Sequence, residues 1–224
     1  MNISKQWLAG VALSALMLGG CVSKVTEEGQ HSGFLRSYDG LQQTTSASGK
    51  PVMRWVADGF NPEAYDTVVF NQLELYPAPQ PNERVNLQTL RELQSLTSSS
   101  VRSALQQKYR VVSSAAAAPA GSRTLVMRAA ITGVSASNQG MRWYEVLPVT
   151  AAAGAVSFAA GYRDQNTELY VEAYLVDATT GQPVVKVVRK VFGATLANNT
   201  QVVTANDFKL AIKDLAADVN AFMQ

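Results

Sequence analysis

The sequence predicts an α+β domain, a mixed and mainly antiparallel sheet with two main amphipathic helices packed on it. Three observations predict it. Two alternating strand patterns flank a short Asp…Gly turn at residues 177–181, which is a hairpin signature. Two segments, one opening near Asn86 and one near Thr204, repeat apolar residues at three- and four-residue steps. Runs rich in β-branched residues lie on both sides of the first of these segments, so strands and helices intermix along the chain.

In chain order, Val22–Ser32 is polar without an apolar period and reads as a flexible tether. Phe34, Leu35, Tyr38 and Leu41 have helical spacing and are expected to dock on the domain. Thr44–Lys50 is a Ser/Gly-rich break, Val52–Val56 a short strand, and Phe60–Tyr65 an irregular turn. Thr67–Tyr76 (TVVFNQLELY) reads as one strand stopped by Pro77 and Pro79. Asn86 caps a helix running to about Lys108. Leu87, Leu90, Leu93, Val101, Ala104 and Leu105 form its apolar face, and Ser98–Ser100 face water.

Tyr109–Ser113 is a short strand and Ala115–Gly121 a small-residue loop. In Ser122–Ser135, Leu125, Met127, Ala129 and Ile131 point one way, and Thr124, Arg128 and Thr132 the other. Leu169, Val171, Ala173 and Leu175 repeat the pattern against Glu168, Tyr170, Glu172 and Tyr174. After the turn, Val185, Val187 and Val191 oppose Lys186 and Lys190. Thr204–Asp207 resembles a capping box and opens the last helix. Phe208, Ile212, Leu215, Val219 and Phe222 form its buried stripe, with Lys209, Lys213, Asp214 and Asp218 around the rest. Two helices cannot cover both faces of such a sheet, so one face is expected to be partly wet.

The amino terminus carries different information. Lys5 precedes an apolar run, Trp7–Leu18, which is too short for a helix spanning a bilayer core of roughly 20 residues. A basic start, a short apolar stretch and small residues at its end describe a secretory signal. Leu18-Gly19-Gly20-Cys21 resembles the lipobox read by the bacterial lipoprotein peptidase. The resemblance implies cleavage between Gly20 and Cys21, diacylglycerol on the Cys21 sulfur and acylation (palmitate or a similar chain) of the new amine. Two or more acyl chains hold a protein firmly on a membrane. By the sorting rule of enteric-type bacteria, Asp after the cysteine retains a lipoprotein at the inner membrane. Val22 therefore implies an outer-membrane anchor with the domain facing the periplasm. The expected organisation is a signal peptide at 1–20, lipidated cysteine and tether at 21–32, and one periplasmic α+β domain at 33–224. Cys21 is the only cysteine, so no internal disulfide can form.

Composition excludes several classes. The precursor carries a net charge of +2, and removal of residues 1–20 takes out Lys5 alone, leaving +1. A nucleic-acid binder shows a strong basic excess, which is missing. His31, the only histidine, lies on the tether, so neither a Ser/His/Asp nor a Cys/His constellation can form in the domain. Glu168 with Glu172 is the one carboxylate pair to weigh, and a solvated sheet face accounts for it. No phosphate loop or metal-ligand spacing occurs, so no cofactor, metal or enzymatic role is expected. Leu147–Tyr162 (LPVTAAAGAVSFAAGY) is uncharged. It reads either as a buried small-residue helix or as a contact surface for a partner subunit or the bilayer.

Ser32–Leu41 (SGFLRSYDGL), Tyr65–Phe70 (YDTVVF) and Leu169–Gly181 (LYVEAYLVDATTG) resemble the opening, first long strand and turn of a bacterial lipoprotein family, domain of unknown function 3313. The likeness covers most of residues 32–223. It carries no activity and transfers no functional residue. The strand–turn–strand–helix ending also looks like periplasmic lipoproteins that serve as assembly or secretion accessories, an analogy of fold alone. The leading expectation is a non-enzymatic lipoprotein whose domain binds another envelope protein or peptidoglycan. The alternatives are a self-assembling ring or pore subunit using Leu147–Tyr162, and a carrier of a small ligand or lipid.

Overall fold

Alternating strands and two amphipathic helices assemble around one sheet in the computed structural model, which describes residues 24–137, 165–198 and 200–224. The export signal expected at 1–20, the Gly20–Cys21 cleavage, the lipidation of Cys21 and the apolar segment at 147–162 lie outside the described residues. Among the described residues, eight strands form the sheet: β1 (Gln42–Thr45), β2 (Pro51–Val56), β3 (Thr67–Val69), β4 (Glu74–Leu75), β5 (Arg110–Val112), β6 (Thr124–Ser137), β7 (Gln165–Asp177) and β8 (Pro183–Leu196). Their order is β1-β2-β8-β7-β6-β3-β5, with β4 also on β6. β1/β2, β2/β8, β7/β8 and β6/β7 are antiparallel, while β3 pairs in parallel with β5 and β6, and β4 with β6. The sheet is mixed and mainly antiparallel, as the pattern predicts.

The β7–β8 hairpin forms where the Asp…Gly signature places it. Asp177 Oδ1 accepts the amides of Thr179 and Thr180 at 2.8 and 2.9 Å. Gly181 takes φ +68°, where a Cβ is disfavoured. α1 (Leu87–Leu105) and α2 (Lys209–Phe222) pack together on one face. The Asn86 side chain caps α1 by accepting the Thr89 amide at 2.8 Å. Before α2, Asp207 accepts the Thr204 amide at 2.7 Å in a capping box that opens a 3-10 turn, Ala205–Phe208, leading into the helix. Between helices and sheet lies the main core, which includes Leu93, Leu105, Leu125, Leu169, Phe208 and Ile212.

Thr67–Tyr76 is not one strand. Its backbone leaves the sheet after Phe70, whose amide still donates to the Val112 carbonyl at 2.9 Å, and α1 side chains take up polar groups of residues 70–73. Arg102 donates to the carbonyls of Phe70 and Asn71, both at 2.6 Å. Gln94 donates to the Leu73 carbonyl at 2.7 Å, and the Leu73 amide donates to Ser98 Oγ at 2.9 Å. Ser98 is therefore buried, not facing water.

The second face of the sheet, expected to be partly wet, is covered in part, while Arg128 and Phe192 on it stay exposed. The chain before β1 crosses it, with Phe34 and Leu35 packing on Ala130 and Val188. No helix forms over residues 33–41, despite the spacing of Phe34, Leu35, Tyr38 and Leu41. The described part of the expected tether is likewise docked, with Thr26 and Gln30 buried and a 3-10 turn at Glu28–Gln30. His31 is half-buried and stacks on the Tyr38 ring with centroids 4.0 Å apart. The physical reason is partly apolar, in Phe34 and Leu35, and partly polar, in Glu172 beneath.

Candidate functional site

Glu168 and Glu172 alternate with Leu169 and Val171, so a strand must point both at the face away from the helices. They are not solvated, since each is only 1% exposed. A buried carboxylate is costly unless paired and hydrogen-bonded, and each is satisfied differently. Glu168 pairs with Lys190 at 2.9 Å and accepts the Tyr170 hydroxyl at 2.7 Å and that of Ser135 at 3.3 Å. Glu172 accepts the Ser32 amide at 2.9 Å, the Leu35 amide at 3.4 Å and the Tyr38 hydroxyl at 2.6 Å. The segment at residues 24–41 is thus held down by a carboxylate that would otherwise be buried without donors.

This layer shifts its neighbours. Burial, then the hydrogen bond and charge of Glu172, push the Tyr38 hydroxyl up to about 12. Burial and Glu168 push Tyr170 up as well. Burial holds His31 below the usual imidazole value, outweighing the opposing pull of Glu172 and Glu28. The carboxylate oxygens accept from donors of the protein itself, and Glu172 clasps the segment through Ser32, Leu35 and Tyr38. Among the described residues, no cluster of three His, Cys, Asp or Glu side chains could hold a metal ion.

The helix side carries a different feature. A cavity of about 390 Å³ lies between the sheet and the helices. Val101 and Leu105 of α1, Leu215 and Val219 of α2, and Met127 and Val171 of the sheet help to line it. Small-molecule sites occupy roughly 300–1,000 Å³ and are mostly apolar with a few placed polar groups. Among the described residues, the charged ones lining the cavity are Arg54, Arg189 and Asp218, of which Arg189 and Asp218 form an ion pair and are 5% and 7% exposed. The Ser48 amide and hydroxyl donate to Asp218 at 2.6 and 2.7 Å. Burial pulls the Asp218 carboxyl up, but Ser48 and Arg189 outweigh it and hold the carboxyl below its usual range. Arg189 Nε is buried and has no hydrogen-bond partner.

The sequence reading missed this pair, although a signal was present. Arg189 falls between Val187 and Val191 on the apolar face of β8, and Asp218 sits at helical spacing between Leu215 and Phe222. A cation and an anion each intruding on an apolar stripe can be expected to meet. Asp218 is therefore inside the α2 interface, not on its polar side.

Fold and site together define an α+β domain clasped by its own amino-terminal segment on one sheet face and holding an apolar cavity on the other. The chain belongs to the family described as "Protein of unknown function (DUF3313)", which matches residues 30–219. It is 40% identical over 207 residues to two relatives called "Uncharacterized lipoprotein YdcL", from Escherichia coli strain K12 and from Escherichia coli O157:H7. The match spans 92% of this chain and 91% of each relative. Among solved structures, two PelC dodecamers from Paraburkholderia phytofirmans are similar at 12% identity. Their TM-scores are 0.33 and 0.35, over 75% of this chain and 95% and 96% of theirs.

Proposed function

We propose that this protein is a lipid-anchored, periplasm-facing lipoprotein of the outer membrane. Its work is to bind and not to catalyse, and its cavity receives an apolar small molecule. The cavity carries this reading, because about 390 Å³ of largely apolar lining next to one buried ion pair suits an apolar or amphiphilic guest. An engineered cavity of roughly 150 Å³ stays dry and takes up benzene. The lipobox at Leu18–Cys21 and the lipoprotein relatives support the anchor. Val22 after the cysteine supports the outer membrane. The clasp on Glu168 and Glu172 supports a non-enzymatic role, since it spends the one candidate carboxylate pair on structure.

The test uses the full chain in phosphatidylcholine nanodiscs and a small neutral carbene-generating probe, trifluoromethyl-phenyldiazirine. Photolabelling is expected on peptides carrying Val101, Met127 and Leu215. Ala173→Phe, which puts a ring into the cavity, should remove it. Labelling confined to other peptides would contradict the reading.

A further inference from the structure

Docking of the amino-terminal segment fixes more than the sheet face it covers. Traced back from Leu35, the chain meets Glu172 through the Ser32 amide at 2.9 Å. It meets Tyr170 through Gln30, whose side-chain amide donates to the hydroxyl at 3.4 Å. It therefore runs along β7 toward Gln165. Thr26 is still buried, and Lys24 is exposed. Cys21 stands three residues before Lys24, so an extended chain separates the two by about 11 Å at most. The headgroup layer of one leaflet takes up about 5–8 Å of that span. An acylated Cys21 would thus hold Lys24 close to the lipid surface.

The same end of the sheet exposes apolar side chains. Phe192, opposite Glu168 in the β7–β8 register, is 38% exposed. It lies beside the docked segment, because Lys190 Nζ sits 5.6 Å from the Tyr170 ring centroid and 5.2 Å from that of Phe192. Val202 is 41% exposed. Arg84 ties it to this end by donating to the Ala136 carbonyl near the close of β6 at 3.0 Å and to the Gln201 carbonyl at 3.3 Å. Arg84 also donates to the side chain of Gln165, which opens β7. Apolar residues exposed singly need no explanation. Here two share the end of the domain that the anchor holds against lipid. Lys24, Glu27 and Glu28 beside them are exposed and carry no basic excess. Attraction to anionic headgroups needs clustered Lys and Arg, so the matching surface is a zwitterionic bilayer.

We propose, resting on the lipid anchor inferred above, that Phe192 and Val202 form a contact surface for the bilayer itself. The domain is then seated on the membrane by this end and does not swing on a tether. The far end of the β7–β8 hairpin stands away from the lipid. Its turn begins at Asp177, nine residues beyond Glu168, or about 30 Å at the rise of a strand. Two side chains add orientation to the anchor and do not replace it, since even one acyl chain binds a membrane only marginally.

The experiment uses the full lipidated chain in phosphatidylcholine vesicles, with and without a phosphatidylcholine that carries a nitroxide at the top of its acyl chain. Cys21 is the only cysteine, and diacylglycerol blocks its sulfur in the lipidated chain. Phe192→Cys, Val202→Cys and Thr180→Cys each therefore offer one thiol for a bimane label. Bimane at positions 192 and 202 should lose emission to the nitroxide lipid, and bimane at position 180 should keep it.

Equal emission at all three positions, in a chain that floats with the vesicles, would overturn the membrane contact and leave the anchor standing. A chain that does not float with them would overturn both. Emission at position 192 that shifts to the blue as protein is raised against lipid, without quenching, would place a second copy on the patch and overturn the lipid assignment. If Phe192→Cys fails to fold, Val202→Cys against Thr180→Cys decides.

Discussion

Glu172→Gln tests the clasp with one exchanged atom. The carboxylate takes the Ser32 amide on one oxygen, and the Leu35 amide and Tyr38 hydroxyl on the other. Glutamine keeps one oxygen and presents an NH2 group where the second stood. The Tyr38 hydroxyl must then turn and accept, the Leu35 amide loses its acceptor, and the Ser32 bond loses its charge assistance. Hydrogen bonds to charged groups contribute about 1.5–3 kcal/mol and neutral ones about 1 kcal/mol, so the net loss is about 2–4 kcal/mol. For a chain of this size each 1 kcal/mol moves Tm by about 2–4 °C, giving a fall of about 5–15 °C. Thermal unfolding followed by circular dichroism measures it, and amide exchange should accelerate first at residues 24–41. A solvated glutamate on an open sheet face would change stability by less than about 0.5 kcal/mol. A Tm fall below about 2 °C, with exchange at Leu35 unchanged, would refute the clasp.

Gly193→Ala should destabilise the fold by about 1–3 kcal/mol in denaturant titration, since the new Cβ would lie 2.7 Å from the Asp207 carbonyl oxygen and 2.8 Å from the Phe208 ring. Lowering pH should loosen the amino-terminal segment. His31 titrates lower when docked than when free, so the undocked state takes up its proton first. Docking is fully favoured above the free value of about 6.5 and weakens as pH falls through the docked value; faster exchange at Leu35 at pH 5 than at pH 7.5 checks this. The alkaline side has the opposite sign. Tyr38 keeps its proton in the fold up to about 12, so its contribution is complete below pH 10, the free value, and is lost as pH rises toward 12. Ultraviolet titration of Tyr38→Phe against the parent chain reads that directly. Cys21→Ser should shift the chain from the membrane to the soluble periplasmic fraction, as measured by fractionation and immunoblotting.

Much of this architecture was legible because period and punctuation agree. The Asp177–Gly181 turn, the Asn86 cap and the stripe from Phe208 to Leu215 each combine a spacing with a residue suited to the end of an element. What the sequence hid lies in contacts between distant residues. Thr67–Tyr76 has strand composition throughout, yet its middle is diverted by Arg102, Gln94 and Ser98, residues on a helix 21 to 32 positions away. Glu172 reads as a wet sheet face until its donors at residues 32–38 are seen. Those donors belong to a segment whose polarity reads as a free tether. The cavity could not be counted from the chain, because it is space left between stripes that each look ordinary. Only Arg189 and Asp218, charges set in apolar rows, hinted at it.

The central claim is that the cavity holds one apolar guest, and native mass spectrometry of the full chain tests it most directly. The protein would be released from mild detergent after incubation with hexadecanoate or hexadecanol. The account predicts a single added guest per chain, absent from Ala173→Phe. A chain that carries no guest from either incubation, or the same load with the cavity filled, would contradict it.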